Sequence, residues 1–245
     1  MNKLRVLDLF SGIGGFSLGL ERTGGFETVA FCEIEPYCRA VLAKHWPSVK
    51  QYHDVRTLTA DVLRSDGITV DVICGGFPCQ DISAAGLQAG ITGERSGLWR
   101  DYARLIGELR PRLAIVENVA ALSGRGLANV LGDLAGMGFD AEWFNISASN
   151  LGSPHHRARV WIVAHPEEIQ RQHQPDTWNA IRRGLLNDGH AWDECPWSAT
   201  ASAVCRVDDG IPDRVDRSAA LGNAVVPQIP ELIGRAILEA EGLTP

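Results

Sequence analysis

No hydrophobic run in this chain approaches the length of a membrane span, and the amino terminus has no charged, apolar, cleavable leader. Those two absences point to a cytoplasmic protein with no membrane partner. Cysteine is scarce, six in 245 residues, and scattered, which suits a reducing compartment rather than a disulfide framework. Cys195 and Cys205, with His190, match none of the usual paired ligand spacings, so no metal site is expected. Positive charge is not in excess: the formal net charge is −7. That argues against strong unspecific attraction to a polyanion, and any such partner must be met by basic residues gathered on one face. There is no internal repeat and no low-complexity tract. At 45% hydrophobic, the chain can bury a substantial core and make one main α/β domain plus a small appendage.

What is present centres on residues 75–80, Gly-Gly-Phe-Pro-Cys-Gln, which follow the apolar run 70–74. That run reads as a buried strand, left through two glycines and a stiffening proline. In open α/β sheets ligands collect outside the carboxyl ends of strands, which is where this reading puts Cys79. A constrained thiol suits nucleophilic catalysis, although a lone Pro-Cys is more often a half-buried cysteine. The next apolar run, 113–116, ends at Glu117-Asn118-Val119 and brings a carboxylate to the same edge. Glu117 either caps the following helix or works beside the thiol as an acid. Arg157 and Arg159 precede the strand-like run 160–164. Two apart in an extended segment, they share a face and form either an anion or carbonyl site or a solvated strand end.

The amino terminus spells strand, glycine-rich turn and helix, residues 4–22, followed by a second strand over 27–32 and then Glu33. This is the opening of a nucleotide-binding βα unit, with a carboxylate about twenty residues on for ribose hydroxyls. Asp8 beside the turn would repel a dinucleotide's pyrophosphate and welcome a sulfonium and an ammonium, which favours S-adenosylmethionine. Ile34 is expected against one face of the adenine, with Asp54 reaching its exocyclic amine.

Taken together, residues 8–16, Glu33, Asp54, 76–80, 95–98, 117–119, 157–159 and 221–227 resemble, in order, the DNA (cytosine-5) methyltransferases. The resemblance implies a Rossmann-like, S-adenosylmethionine-dependent methyltransferase fold: α/β, with a mixed, mostly parallel sheet and a small inserted region. It implies a catalytic, cofactor-binding domain over 1–165, a reduced target-recognition region over 166–210, and a segment over 211–245 returning to the first domain. The residue 230–240 stretch reads as an amphipathic helix covering the first strand. Cys79 then looks like the nucleophile that adds to cytosine C6, Glu117 like the acid at N3, Arg159 like the contact near O2, and Arg157 like its support. Phe10, Gly12, Ile13, Gly15, Glu33, Ile34, Asp54, Val55, Pro78, Leu98 and Asn223 fall where the family binds S-adenosylmethionine. Gln80 and Ser83 fall on the substrate side. The implied partner is duplex DNA, the implied state a monomer, and the implied setting restriction-modification.

That chemistry needs the target base out of the helical stack. The glycine-rich segment 81–97 reads as a lid over it. Two family positions differ: His155 stands where a glutamine is usual, and Ile34 where a large aromatic is common. The inserted region is short. Its Trp178, Trp192 and Trp197, with Arg171, Arg182 and Arg183, form either a DNA-facing surface or a minimal core. Two rival readings stay open: methylation of tRNA, and a non-catalytic DNA-binding homologue.

Overall fold

The computed structural model describes residues 2–78, 97–153, 157–167, 179–181, 183–184 and 223–243. Its centre is a seven-stranded sheet with helices on both faces. In chain order the elements are β1 (Leu4–Leu9), α1 (Gly15–Arg22), β2 (Phe26–Cys32), α2 (Pro36–His45), β3 (Lys50–Tyr52), α3 (Ala60–Ser65), β4 (Val72–Gly76) and α4 (Gly97–Leu109). There follow β5 (Leu113–Val119), α5 (Leu122–Arg125), α6 (Leu127–Gly136), β6 (Phe139–Ser147), β7 (Ala158–Pro166) and α7 (Gln228–Ala240). The sheet order is β3-β2-β1-β4-β5-β7-β6. β1 to β5 pair in parallel, while β7 runs antiparallel to both β5 and β6. The α/β architecture with a mixed, mostly parallel sheet is thus the one expected. Among the described residues no helix is long and apolar enough to cross a membrane.

The strands are apolar on both sides because both sides are covered. Leu7, Leu9, Ile73, Ala114 and Val116 face α4 and α6, whose Trp99, Tyr102, Leu105, Ile106, Val130 and Leu134 recur at helical spacing. Val6, Val72, Ile115 and Trp161 face α1 and α7, where Phe16, Leu20, Ile233 and Ile237 close the second core. The expected carboxyl-terminal helix is therefore present and covers β1.

Glycine decides how closely α1 is packed. A Cβ on Gly15 would lie 2.4 Å from the Val225 carbonyl oxygen, and one on Gly19 2.1 Å from that of Pro227. These two residues, one helical turn apart, form a groove into which the backbone of 225–227 settles. Gly14 enters α1 at φ 86° beneath the Trp46 ring, whose Nε1 donates to Glu21 Oε2 at 3.0 Å.

At the cleft edge two strands run further than their apolar runs: β4 continues through both glycines to Gly76, and β5 continues through Glu117 to Val119. The cause lies across the ladder. Gly75 pairs with Val116 and Gly76 with Glu117, and a Cβ on Gly75 would meet the Leu9 carbonyl oxygen at 2.3 Å. Those glycines let three strands stay close at the edge where the cleft opens.

Candidate active site

A cleft of about 660 Å³ opens at the carboxyl ends of β1, β2, β4 and β5. Its first wall is the glycine turn. Phe10 leaves β1 at φ 52°, a left-handed conformation that a bulky residue rarely adopts, and its ring lies against Tyr102 with centroids 6.2 Å apart. Ser11 Oγ steadies the turn by donating to the Asp8 carbonyl at 2.6 Å. Glu33, almost fully buried, ties the turn to the loop after β2. Its Oε2 accepts from the Gly12 N–H at 2.7 Å and its Oε1 from the Glu35 N–H at 2.8 Å. A carboxylate thus occupies the donor that a dinucleotide-binding turn would offer to phosphate.

The second wall carries Ile34, Asp54, Val55 and Leu98. Among the described residues Ile34 is 57% exposed, and it presents apolar surface to the cleft. Asp54 is gripped by Arg56: the Nε lies 2.9 and 3.0 Å from the two carboxylate oxygens, the Nη2 lies 2.6 Å from Oδ2, and the Arg56 N–H donates to Oδ1 at 3.0 Å. That hydrogen bonding holds the Asp54 carboxyl below its usual range.

The third wall is where a reaction would take place. The Arg159 Nε lies 2.9 Å from Glu117 Oε1, with both side chains largely buried. Burial pushes the Glu117 carboxyl up, against the opposing pull of Arg159 and Arg157. Burial, and then the like charge of Arg159, lower Arg157 in turn. The room for this carboxyl is supplied by Gly76, whose missing Cβ would sit 2.5 Å from Glu117 Oε2. Asn118 fixes the exit from β4: its Nδ2 donates to the buried Phe77 carbonyl at 3.0 Å while its Oδ1 accepts from the Val119 N–H at 2.8 Å. Pro78 follows and also lines the cleft.

Of the residues singled out in the sequence, Phe10, Gly12, Glu33, Ile34, Asp54, Val55, Pro78, Leu98, Asn223, Glu117, Arg157 and Arg159 all line this one cleft. Ile13 and Gly15 do not; Gly15 is a packing residue of the α1 groove. Cys79, Gln80 and Ser83 lie outside the described residues, as does nearly all of the 81–97 segment and most of 166–210. Arg183 is described, and it pairs with Glu239 of α7 at 2.7 Å.

The role expected of Asp8 is corrected. It points into the α1 face of the sheet, is wholly buried, and its Oδ2 accepts from Ser17 Oγ at 2.7 Å. Alternation along β1 sends it away from the cleft, so it meets no ligand there. Burial raises its carboxyl to about 8.

Several cleft residues escaped the sequence reading. Arg56 stands two residues from Asp54 but carries no recognisable pattern. Cys32 and Cys38 reach the cleft edge, and burial followed by Glu33 holds their thiols up at about 12 and about 11, so neither is a thiolate near neutral pH. Asn118 belongs to the 117–119 motif, yet no local pattern shows that its amide binds a carbonyl 41 residues away.

A family model described as C-5 cytosine-specific DNA methylase matches residues 4–189. The type II methyltransferase M2.BsuMI of Bacillus subtilis is 35% identical over 169 residues, which are 66% of this chain and 42% of that protein. The type II methyltransferase M.HgiBI of Herpetosiphon aurantiacus is 33% identical over 174 residues, 69% of this chain and 39% of that protein. The chain therefore spans about two fifths of the length of these curated relatives. Among solved structures, a prophage-encoded E. coli protein described as a DNA modification methyltransferase superposes with a TM-score of 0.58 at 28% identity, over 69% of this chain and 48% of that one. The Dnmt2 methyltransferase of S. pombe gives 0.57 at 20% identity, over 68% and 50%, a likeness of fold alone.

Proposed function

The chain belongs to the C-5 cytosine-specific DNA methylase family, and from that premise we propose that it methylates C5 of a cytosine turned out of duplex DNA, with S-adenosylmethionine as donor. The observation that carries this reading is the buried Glu117–Arg159 pair opening into the same cleft as Phe10, Glu33 and Asp54.

The cleft's chemistry fits the donor. Glu33 offers carboxylate oxygens to ribose hydroxyls, Ile34 and Leu98 offer apolar surface to adenine, and Asp54 offers an acceptor to its amine. The carboxylate already seated on the Gly12 N–H disfavours an anionic pyrophosphate there. When bound, the cofactor supplies an electrophilic methyl group on a sulfonium.

The remaining work falls to the chain's own residues. The Cys79 thiolate adds to C6 of the base, opening the aromatic ring system to electron flow toward C5. Glu117, kept toward its protonated form by burial, delivers a proton or hydrogen bond at N3 as that addition occurs. Arg159 orients Glu117 through its Nε and has guanidinium donors left for the base oxygen, with Arg157 adding positive charge beside it. Once C5 carries the methyl group, its proton departs to a base or water, the thiolate is eliminated from C6, and the N3 proton returns to Glu117. Residues 1–165 and 211–245 form the catalytic part in this reading, and 166–210 the reduced recognition region.

The test is adduct formation on duplex DNA containing 5-fluorocytosine, which blocks the final proton loss. With S-adenosylmethionine present, the wild-type chain is expected to form a denaturation-stable adduct, and Cys79→Ala none. An absence of adduct with wild type across a set of mixed-sequence duplexes overturns the proposal and favours a non-catalytic homologue.

A further inference from the structure

The loop that carries Asp54 and Val55 is held from outside the nucleotide-binding turn. Between β3 and α3, residues 53–59 have no strand partner, so their backbone groups need other partners. Some are met within the loop, where the Thr57 and Leu58 N–H groups donate to the Asp54 carbonyl, and helix α4 supplies others. The Arg104 Nη2 on α4 donates to the Val55 carbonyl at 2.9 Å and to the Leu58 carbonyl at 3.0 Å. Glu108, one turn further along α4, accepts from the Ala60 N–H at 2.9 Å through Oε2. Its Oε1 accepts from the Arg104 Nη1 at 2.8 Å. Asp101, one turn before, lies 3.6 Å from the Arg104 Nη2 and also acts electrostatically on Arg56, the residue that grips Asp54. Alternating charges thus run from the cleft wall to α4: Asp54, Arg56, Asp101, Arg104, Glu108.

From this we infer that Arg104 is a positioning residue of the cofactor site, a latch that holds the Asp54–Val55 wall in its ligand-ready conformation from helix α4. The inference rests on the reading of this cleft as the S-adenosylmethionine site. Arg104 is not among the residues that line the cleft, so it acts through the two loop carbonyls it holds and not on the ligand itself. Its effect is on the loop's conformational freedom. A loop already ordered before the ligand arrives leaves less entropy to be lost on binding. The same helix begins with Gly97 and places Leu98 in the cleft, so one rigid element sets two parts of the adenosine wall at once. Only a guanidinium presents a single nitrogen able to serve two carbonyls while a second nitrogen pairs with a carboxylate.

The experiment compares wild type, Arg104→Met and Arg104→Lys in the full chain by calorimetric titration with S-adenosylmethionine. It is joined by amide exchange at residues 55–60 in the cofactor-free protein and by steady-state kinetics on duplex DNA. The matched control for general destabilisation is Ile237→Val on the opposite face of the sheet. Arg104→Met is expected to raise the cofactor Kd about tenfold, to raise KM for the cofactor in step, and to leave kcat at saturating cofactor within twofold. Exchange at residues 55–60 should quicken in the same variant. Lys, which keeps the charge and one contact, should fall between, and the control should shift neither Kd nor loop exchange. If Arg104→Met folds yet binds S-adenosylmethionine within twofold of wild type, or lowers kcat without changing Kd, the latch is refuted. If Arg104→Met does not fold, the Lys variant decides by the same two readouts. A wild type that binds no S-adenosylmethionine removes the cofactor reading itself, an outcome visible in the first titration and separate from failure of the latch.

Discussion

Gly76→Ala is the sharpest probe of the reacting end of the cleft. The added Cβ would sit 2.5 Å from Glu117 Oε2, roughly 1 Å short of van der Waals separation. The carboxylate is the end of a side chain and can yield, so the strand pairing survives and the cost in stability is about 1–2 kcal/mol. The displacement is nevertheless as large as the margin that keeps Glu117 Oε1 at 2.9 Å from the Arg159 Nε. A misplacement of about 1 Å in a proton-delivering group costs on the order of 10²-fold in rate. The variant is therefore expected to melt a few degrees lower and to transfer tritiated methyl groups to duplex DNA about a hundredfold more slowly at saturating cofactor. Gly75→Ala is the contrast: its Cβ would strike the Leu9 carbonyl oxygen at 2.3 Å, and backbone in a paired strand cannot move aside. That variant should lose the fold, not just the rate. A folded Gly76→Ala protein with turnover within threefold of wild type would refute the placement of Glu117 in the chemistry.

Two further outcomes follow from the same geometry. S-adenosylmethionine at a hundred times its Kd should stabilise the chain by about 2.7 kcal/mol, while NAD at the same concentration should not shift the melting temperature; stabilisation by NAD alone would overturn the cofactor assignment. Asp8 holds a proton in the folded protein up to about pH 8, whereas the unfolded carboxyl loses it near 3.8. The folded state therefore binds the extra proton between those values, and stability falls as pH rises through that window. Asp8→Asn should abolish this part of the slope, so urea melts at pH 5 and pH 8 should show its stability relative to wild type growing by about 3–4 kcal/mol. Parallel stability curves would show that Asp8 is not titrating in that window.

Strands β1, β2, β4, β5 and β7 were legible as short apolar runs, and the glycine turn because Gly12 and Gly14 stand where positive φ is required, whereas β6, interrupted by Asp140, Glu142 and Asn145, carries no such run. Glu117, Arg157 and Arg159 could be read because a charged residue inside or beside an apolar run is costly unless paired. What stayed hidden depends on direction and distance. Asp8 was noticed, but only the pleat of β1 shows that it faces α1 and not the cleft. Gly15 looked like a ligand residue, and only the backbone of Val225 lying 2.4 Å from its absent Cβ reveals a packing role. Arg104 and Glu108 carry the spacing of an ordinary surface pair on a helix. Their hold on the 55–60 loop spans some fifty positions of chain, which no local pattern encodes.

The groove on α1 has a consequence for the order in which the molecule assembles. The wall of the cleft containing Asn223 and Ala224 is continuous with the backbone that beds down on Gly15 and Gly19, more than two hundred residues after the turn it faces. A nascent chain can pair its first five strands long before that wall has been synthesised. The pocket is then an unfinished vessel, sealed only when the distal segment threads back across the first helix. Ligand affinity in a growing or carboxyl-terminally shortened chain should thus appear late and abruptly, rather than rising with each strand added.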